Sequence, residues 1–398
     1  MRKKINKYLP YSRQYIDRKD ISSVISVLKS NFITQGRSIS NFEKKVTSRV
    51  GSKFGVATNS ATSALHIACL SLGLSKNDIL WTVPNTFVAS ANCGLYCGAK
   101  IDFVDIDEKT LNLSIEKLKI KLEKSKKINK LPKIIVPVHF AGNPYPQEEL
   151  YNLSKKYKFK IVEDASHALG STYKKNPVGS CKWSDICVFS FHPVKPITTA
   201  EGGMALTNNK IIFEKLGFLR NHGINKNSKF RKKRKLEQWY YEQQMLGYNY
   251  RMNDIEASLG ISQMKKLNSF VKTRNRVAKK YNDELKSLLL QTQIISPKSR
   301  STYHLFVIMF PNKKKIKDNY NKIFQIFLKN NIGVNLHYLP VHLHPVYKKM
   351  GFRNGDFPNS ENYAKRAFSI PIFHKISNEE QNHIINIIKK ICLEFNEK

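Results

Sequence analysis

The feature that most narrows what this chain can become is the rhythm of its first two-thirds, where short β-branched and apolar runs alternate with helical patterns. The runs are DILWTVP (78–84), AKIDFVDID (99–107), KIIVPVHF (133–140), FKIVEDAS (159–166), DICVFSF (185–191) and GMALTN (203–208). Between them, TSALHIACLSLGL (62–74) puts Leu65, Ala68, Cys69 and Leu72 on one stripe. QEELYNLSKKYK (147–158) does the same with Leu150, Leu153 and Tyr157. Apolar residues every three or four positions mark a helix with a buried face. Strands alternating with helices predict an α/β fold on a mainly parallel sheet with both faces covered. The run IIVPV agrees, since a strand buried on both sides needs no polar face.

After about residue 255 the rhythm changes. A long helical pattern, NDIEASLGISQMKKLNSFVKTRNRVAKKYNDELKSLL, leads to STYHLFVIMF, the clearest strand of the remainder. Helical patterns and a further strand, GVNLHYLP (333–340), complete it. The expected division is a large domain with an N-terminal arm over 1–255, then a connecting helix and a smaller α+β domain over 256–398. No internal repeat is visible.

Composition excludes several classes. No stretch is apolar for long enough to cross a bilayer, and the start MRKKINKYLPYSRQ lacks the apolar segment of a signal peptide. The six cysteines are scattered, with Cys93 and Cys97 four apart and no CxxC pair. Reduced thiols in a cytoplasm, with no metal site and no membrane contact, are the expectation. The net charge of +38 raises the question of nucleic acid, and KNSKFRKKRKLEQWYY (226–241) is the cluster to weigh. Yet the lysines are spread along the whole chain together with many Asn and Ile, as an AT-rich genome would produce. A solvated surface is therefore the expected role, and nucleic-acid binding the minor alternative. Such a surface still attracts phosphorylated substrates.

Three polar features fall where strands end, which is where open α/β sheets bind ligands. The turn ATNSATSALH brings Asn59, Ser60, Thr62 and Ser63 to the start of a helix, where free N–H groups and the dipole suit a phosphate. For this turn alone an ordinary N-cap is a sufficient account. IVEDASHALG ends an apolar strand on Asp164, with His167 three residues later. A carboxylate there needs a cation or a strong donor; His167 alone reads as a packing residue. SFHPVKPITTAEGG (190–203) follows, with Ser190 at a strand end and Lys195 on a loop stiffened by Pro193 and Pro196. A lysine held in apolar surroundings has a lowered pKa, and a neutral amine condenses with aldehydes. A phosphate cradle, a carboxylate and an activated lysine are together the parts that pyridoxal phosphate requires.

In order along the chain, TNSATSALH, PNTFVASAN, IVEDASHALGS, SFHPVKPITTAEGG, RNHG, GYNYRMNDIEASLG and VNLHYLPVHLHP resemble the DegT/DnrJ/StrS family of nucleotide-sugar aminotransferases over nearly the whole length. The resemblance is strongest to its pseudaminic acid branch, which aminates C4 of a UDP-linked 4-keto-6-deoxy-N-acetyl-hexosamine. It implies the aspartate-aminotransferase-like fold (type I), pyridoxal 5′-phosphate, L-glutamate as donor and a homodimer with active sites at the interface. It also implies residue roles. Lys195 would form the Schiff base, Asp164 would meet the pyridine nitrogen, and Phe87 would stack on the ring. Thr62, Ser63 and Ser190 would hold the phosphate, joined by Asn249 from the neighbouring subunit. His167 stands where many relatives have Gln beside the phenolic oxygen, and His337 and Tyr338 would line the sugar site. A sister group has histidine in place of the lysine and dehydrates instead, which Lys195 argues against. The remaining enzymatic alternative is an aminotransferase for a GDP- or dTDP-linked 4-keto or 3-keto sugar.

Overall fold

The computed structural model describes residues 7–225 and 239–396. The basic cluster at 226–241 lies outside the described residues except for Trp239, Tyr240 and Tyr241.

Seven strands form the central sheet: β1 (Phe54–Thr58), β2 (Ile79–Thr82), β3 (Lys100–Phe103), β4 (Ile134–Val136), β5 (Lys160–Asp164), β6 (Ile186–Ser190) and β7 (Gly203–Thr207). Their order is β1-β7-β6-β5-β4-β2-β3. The four pairings from β6 to β3 are parallel, and β7 alone runs against its neighbours β1 and β6. All three residues of β4 are fully buried, and so are Ile186 to Phe189 of β6. Helices on both faces explain why these strands carry no polar side.

The helix Ala61–Ser71 is buried on almost every face, wider than its sequence stripe, because it lies between the sheet and the helices Ala89–Tyr96 and Lys210–Arg220. The helix Gln147–Tyr157 buries Leu150, Ser154 and Tyr157, and Leu153 stays half-buried.

The C-terminal part builds a separate three-stranded antiparallel sheet from Gln291–Thr292, Phe306–Met309 and Ala367–Ile370. The helices Tyr320–Lys329 and Asn378–Asn396 cover it, and Phe306, Ile308, Phe327, Phe368, Ile384 and Ile388 form its core. Leu9, from the N-terminal arm, is buried in that same core.

Two local expectations need correction, and one strand goes unpredicted. The long helix beginning at 254 is broken: Asp254–Met264 and Leu267–Leu285 are separate helices. At the break, Lys266 turns its ammonium to Asp17 and Asp20, and the amides of Lys265 and Lys266 bond only three residues back. The expected strand at 333–340 is irregular, with a single bridge from Asn335 to Ser369. The Tyr338 amide bonds to the side chain of Asn85 at 3.0 Å instead of to a neighbouring strand. Finally, β1 carries no sequence signal, since FGVAT holds one β-branched valine and one threonine beside Gly and Ala.

Candidate active site

Because every main-sheet strand except β7 points the same way, the ends of β1, β2, β4, β5 and β6 meet along one edge. A cavity of about 550 Å³ opens there. It brings together Thr62, Phe87, Asp164, His167, Ser190, Lys195, His337 and Tyr338, residues scattered over 277 positions of sequence, Thr62 to Tyr338.

Asp164 ends β5 and is nearly buried. One carboxylate oxygen accepts from Ser90 Oγ at 2.6 Å, and the other accepts from the Ser166 amide at 3.0 Å. Since Ser90 donates its proton to Asp164, the 2.8 Å contact between Thr86 and Ser90 has Thr86 as donor. The chain Thr86–Ser90–Asp164 orients the carboxylate while part of it still borders the cavity.

Lys195 is half-buried by surface because it borders the cavity. Its amine is deep in the fold, and burial pushes its pKa down to about 8, with the charge of Asp164 opposing only in part. Near neutral pH a sizeable minority of such an amine is unprotonated, where an ordinary lysine would be almost wholly charged. The loop is held by the Lys195 amide on the His192 carbonyl (2.9 Å), the Thr199 amide on Phe191 (3.0 Å) and Thr198 Oγ1 on Phe191 (2.9 Å).

His167 accepts from the Ala141 amide through Nδ1 at 3.2 Å. In the neutral ring the proton therefore sits on Nε2, which lies 3.2 Å from Tyr338 Oη and donates to it. Burial, and then the nearby charge of Lys195, hold the His167 pKa well below the usual histidine value. Tyr338 moves the opposite way: burial first, then the charge of Asp164, keeps its phenol protonated. Its own proton remains free to be donated. His337 Nδ1 meets Ser369 Oγ at 2.9 Å, and burial pushes its pKa down to about 3.

At the other side of the cavity Ser60 caps the 61–71 helix, its Oγ accepting from the Ser63 amide at 3.1 Å. Thr62 borders the cavity. Ser63 does not: it is buried, with Oγ 3.0 Å from Ser60 Oγ. Gly203 lies against this turn so closely that a Cβ would collide with the Ser60 carbonyl and the Ala61 amide. Ser190 lies at the end of β6, with the His192 amide 3.4 Å from its Oγ. Asn249 is exposed, bridged to Asn221, and outside the cavity of its own chain. Phe87 is 57% exposed, with its ring centroid 6.1 Å from that of Tyr338.

Sequence reasoning missed Tyr11, Ser90, His304 and Asn335. Tyr11, His304 and Asn335 border the cavity, and Ser90 supports it from behind. His304 is 1% exposed, and its Nδ1 has no partner among the described residues. Its ring centroid is 4.3 Å from that of His167. Asn335 stood inside the segment read as a strand, and Tyr11 carried no local signal.

Residues 14–389 match the DegT/DnrJ/EryC1/StrS aminotransferase family model. The chain is 37% identical over 390 residues to the UDP-4-amino-4,6-dideoxy-N-acetyl-beta-L-altrosamine transaminase of Campylobacter jejuni, covering 96% of this chain and 98% of that protein. Among solved structures, Helicobacter pylori PseC, an aminotransferase of pseudoaminic acid biosynthesis, is 30% identical with a TM-score of 0.86, covering 98% of this chain and 100% of that one. The PLP form of the putative sugar aminotransferase Spr1654 from Streptococcus pneumoniae is 27% identical with a TM-score of 0.88, covering 98% and 99%.

Proposed function

The chain belongs to the DegT/DnrJ/EryC1/StrS aminotransferase family, and from that premise we propose that it aminates C4 of a UDP-linked 4-keto-6-deoxy-N-acetyl-hexosamine, with L-glutamate as donor, in pseudaminic acid-type sugar biosynthesis. It is a PLP-dependent sugar aminotransferase of fold type I, acting on a nucleotide-sugar and an amino donor. The Campylobacter relative, named for a UDP-linked 4-amino-4,6-dideoxy-N-acetyl sugar, which is what amination of such a keto-sugar at C4 yields, supports the finer reading.

The cavity fits pyridoxal 5′-phosphate. Gly203 lets its strand pack against the turn that starts the 61–71 helix, Ser60, Ala61 and Thr62 of that turn face the cavity, and Thr62 and Ser190 offer hydroxyls for a phosphate. Asp164 keeps part of its carboxylate toward the cavity for the ring nitrogen, and Phe87 offers a face for the ring. When bound, the cofactor supplies an aldehyde for amine exchange and a ring that withdraws electrons. Lys195 is the residue we assign to hold that aldehyde and, once free, to take and return a proton at the reacting carbon, work for which a pKa near 8 suits it. Tyr338, oriented by His167, donates its proton to an oxygen in the cavity. The buried Val138 and Ala89 give the cavity an apolar wall that keeps water from the reacting atoms.

The reading also includes a cytoplasmic homodimer that binds neither nucleic acid nor membrane. Apolar side chains exposed at Ile21, Ile25, Leu28 and Phe32, and at Leu246 close to Asn249, support a partner that covers them. Ser63 would act only by holding Ser60, and Asn249 would serve the neighbouring cavity. The proposed division at 255/256 falls inside the helix Asp254–Met264, ahead of the three-stranded C-terminal sheet that begins at Gln291. No helix among the described residues is long and apolar enough to cross a membrane.

The observation that carries the assignment is one cavity joining Lys195, Asp164 and the helix start. Borohydride reduction of the yellow protein followed by peptide mapping should place the label on Lys195. Lys195→Ala should lose at least about 10⁴-fold in turnover. With a panel of UDP-, GDP- and dTDP-linked keto-sugars and glutamate, turnover confined to non-UDP sugars would defeat the substrate assignment.

A further inference from the structure

Arg274 is 4% exposed, and no carboxylate among the described residues offsets its charge. Burial pushes its pKa down to about 10, so it stays cationic at neutral pH. A buried cation without an anion is costly, and an apolar side chain of the same length would fill the space at less expense. What the guanidinium does instead is join chain segments. Its Nη1 donates to the carbonyls of Tyr303 (3.2 Å), His304 (3.0 Å) and Ile372 (2.8 Å), and Nη2 donates to Ser12 Oγ at 3.2 Å. Ser12 passes the interaction on, donating to the carbonyl of Val194 at 3.3 Å, one residue before Lys195. A hydroxyl that accepts from a cation is a stronger donor, so the two bonds reinforce each other.

The arm around Ser12 is itself tied down. Leu9 exchanges backbone bonds with the 331–333 segment at 2.8 and 2.7 Å, and the Ile372 amide donates to Tyr11 at 2.9 Å. Tyr11 also borders the active cavity, with its ring centroid 4.9 Å from that of His337. The arm thus crosses from the small-domain core to the lysine loop.

We propose that Arg274 is a positioning residue for catalysis, which acts through Ser12 to fix the loop carrying Lys195. The N-terminal arm is then part of the catalytic apparatus, and the small domain sets the orientation of the amine. This rests on the assignment of Lys195 above.

The test uses the cofactor-loaded enzyme with Ser12→Ala and Arg274→Lys, the latter keeping the charge but losing the planar fork. Four quantities are read: the borohydride-trapped peptide, the pH midpoint of the visible absorption band, kcat and KM for glutamate, and Tm. Ser12→Ala should move the midpoint by about half a pH unit and lower kcat about fivefold. Its KM and Tm should stay close to wild type. Arg274→Lys should move the midpoint and kcat further in the same direction. If it does not fold, Ser12→Ala decides alone. A label on Lys195 with midpoint and kcat unchanged in Ser12→Ala overturns the inference, whatever happens to Tm, and leaves the assignment of Lys195 standing. A label on another residue overturns both.

Discussion

Glu163 and Asp164 are consecutive carboxylates that leave opposite faces of β5, and their surroundings differ in one respect. Glu163 is enclosed: Tyr145 Oη and Gln147 Nε2 each donate to it at 2.8 Å, and His139 Nε2 lies 3.5 Å away. Burial alone would raise its pKa, but the nearby His139 ring and the hydrogen bonds from Gln147 and Tyr145 outweigh it and hold the carboxyl below its usual value. Asp164 has donors on both oxygens, yet it borders the cavity. Both are buried and bonded, so burial does not separate structure from function here. What separates them is whether the environment leaves a side for a ligand.

The largest expected effect falls on the open member. Asp164→Asn should lower kcat about 10³-fold by losing the charge proposed to meet the cofactor ring, with Tm nearly unchanged in the apoprotein. A mild loss would mean that Asp164 is only a strand cap, like many buried carboxylates. The enclosed member should behave in the reverse way. Glu163→Gln should cost about 3 kcal/mol in chemical denaturation, while kcat per folded molecule stays within about twofold of wild type. A large fall in kcat there would erase the distinction.

The histidines sharpen the comparison from the cavity side. His167 and His304 are held well below the usual value by burial, and His337 at about 3. An unfolded chain takes up protons on these rings as pH falls through about 6.5, whereas the folded cavity does not. Stability should therefore drop below that pH, by about 1.4 kcal/mol per histidine for each pH unit. Denaturation of the apoprotein at pH 7.5 and 5.5 measures the slope, and His304→Gln should remove one share of it. An unchanged slope would show that His304 is already charged when folded. The smallest effect concerns Tyr338. Tyr338→Phe should lower kcat about fivefold, and His167→Ala should lower it no further in that background, because the ring acts through the phenol.

Lys195 and Asp164 were legible in the sequence for a local reason. Each follows an apolar run closely enough that its backbone position is set by the strand before it, and neither suits a core without a task. The period-two alternation of β5 also places Glu163 and Asp164 on opposite faces. It does not say which face carries the cavity, because that depends on what packs beneath. Ser90 and His304 were illegible, since Ser90 meets Asp164 across 74 residues and His304 approaches His167 from the bend before the strand Phe306–Met309. The segment 333–340 misled for a related reason. Its apolar spacing resembles a strand, but Asn85 takes the Tyr338 amide and the cavity takes the side chains of Asn335, His337 and Tyr338.

The chain's own order of residues determined the parallel sheet, the edge at which chemistry gathers, and the lysine and carboxylate that stand there. These depend on short-range periodicity and on the cost of placing charge after a buried strand. Only the tertiary structure decided that Asp164 rather than Glu163 keeps an open side, that His167 spends its proton on Tyr338, and that Arg274 and Ser12 reach the lysine loop. Each is a contact between residues far apart in sequence, set by which surfaces pack together, and no local pattern records it.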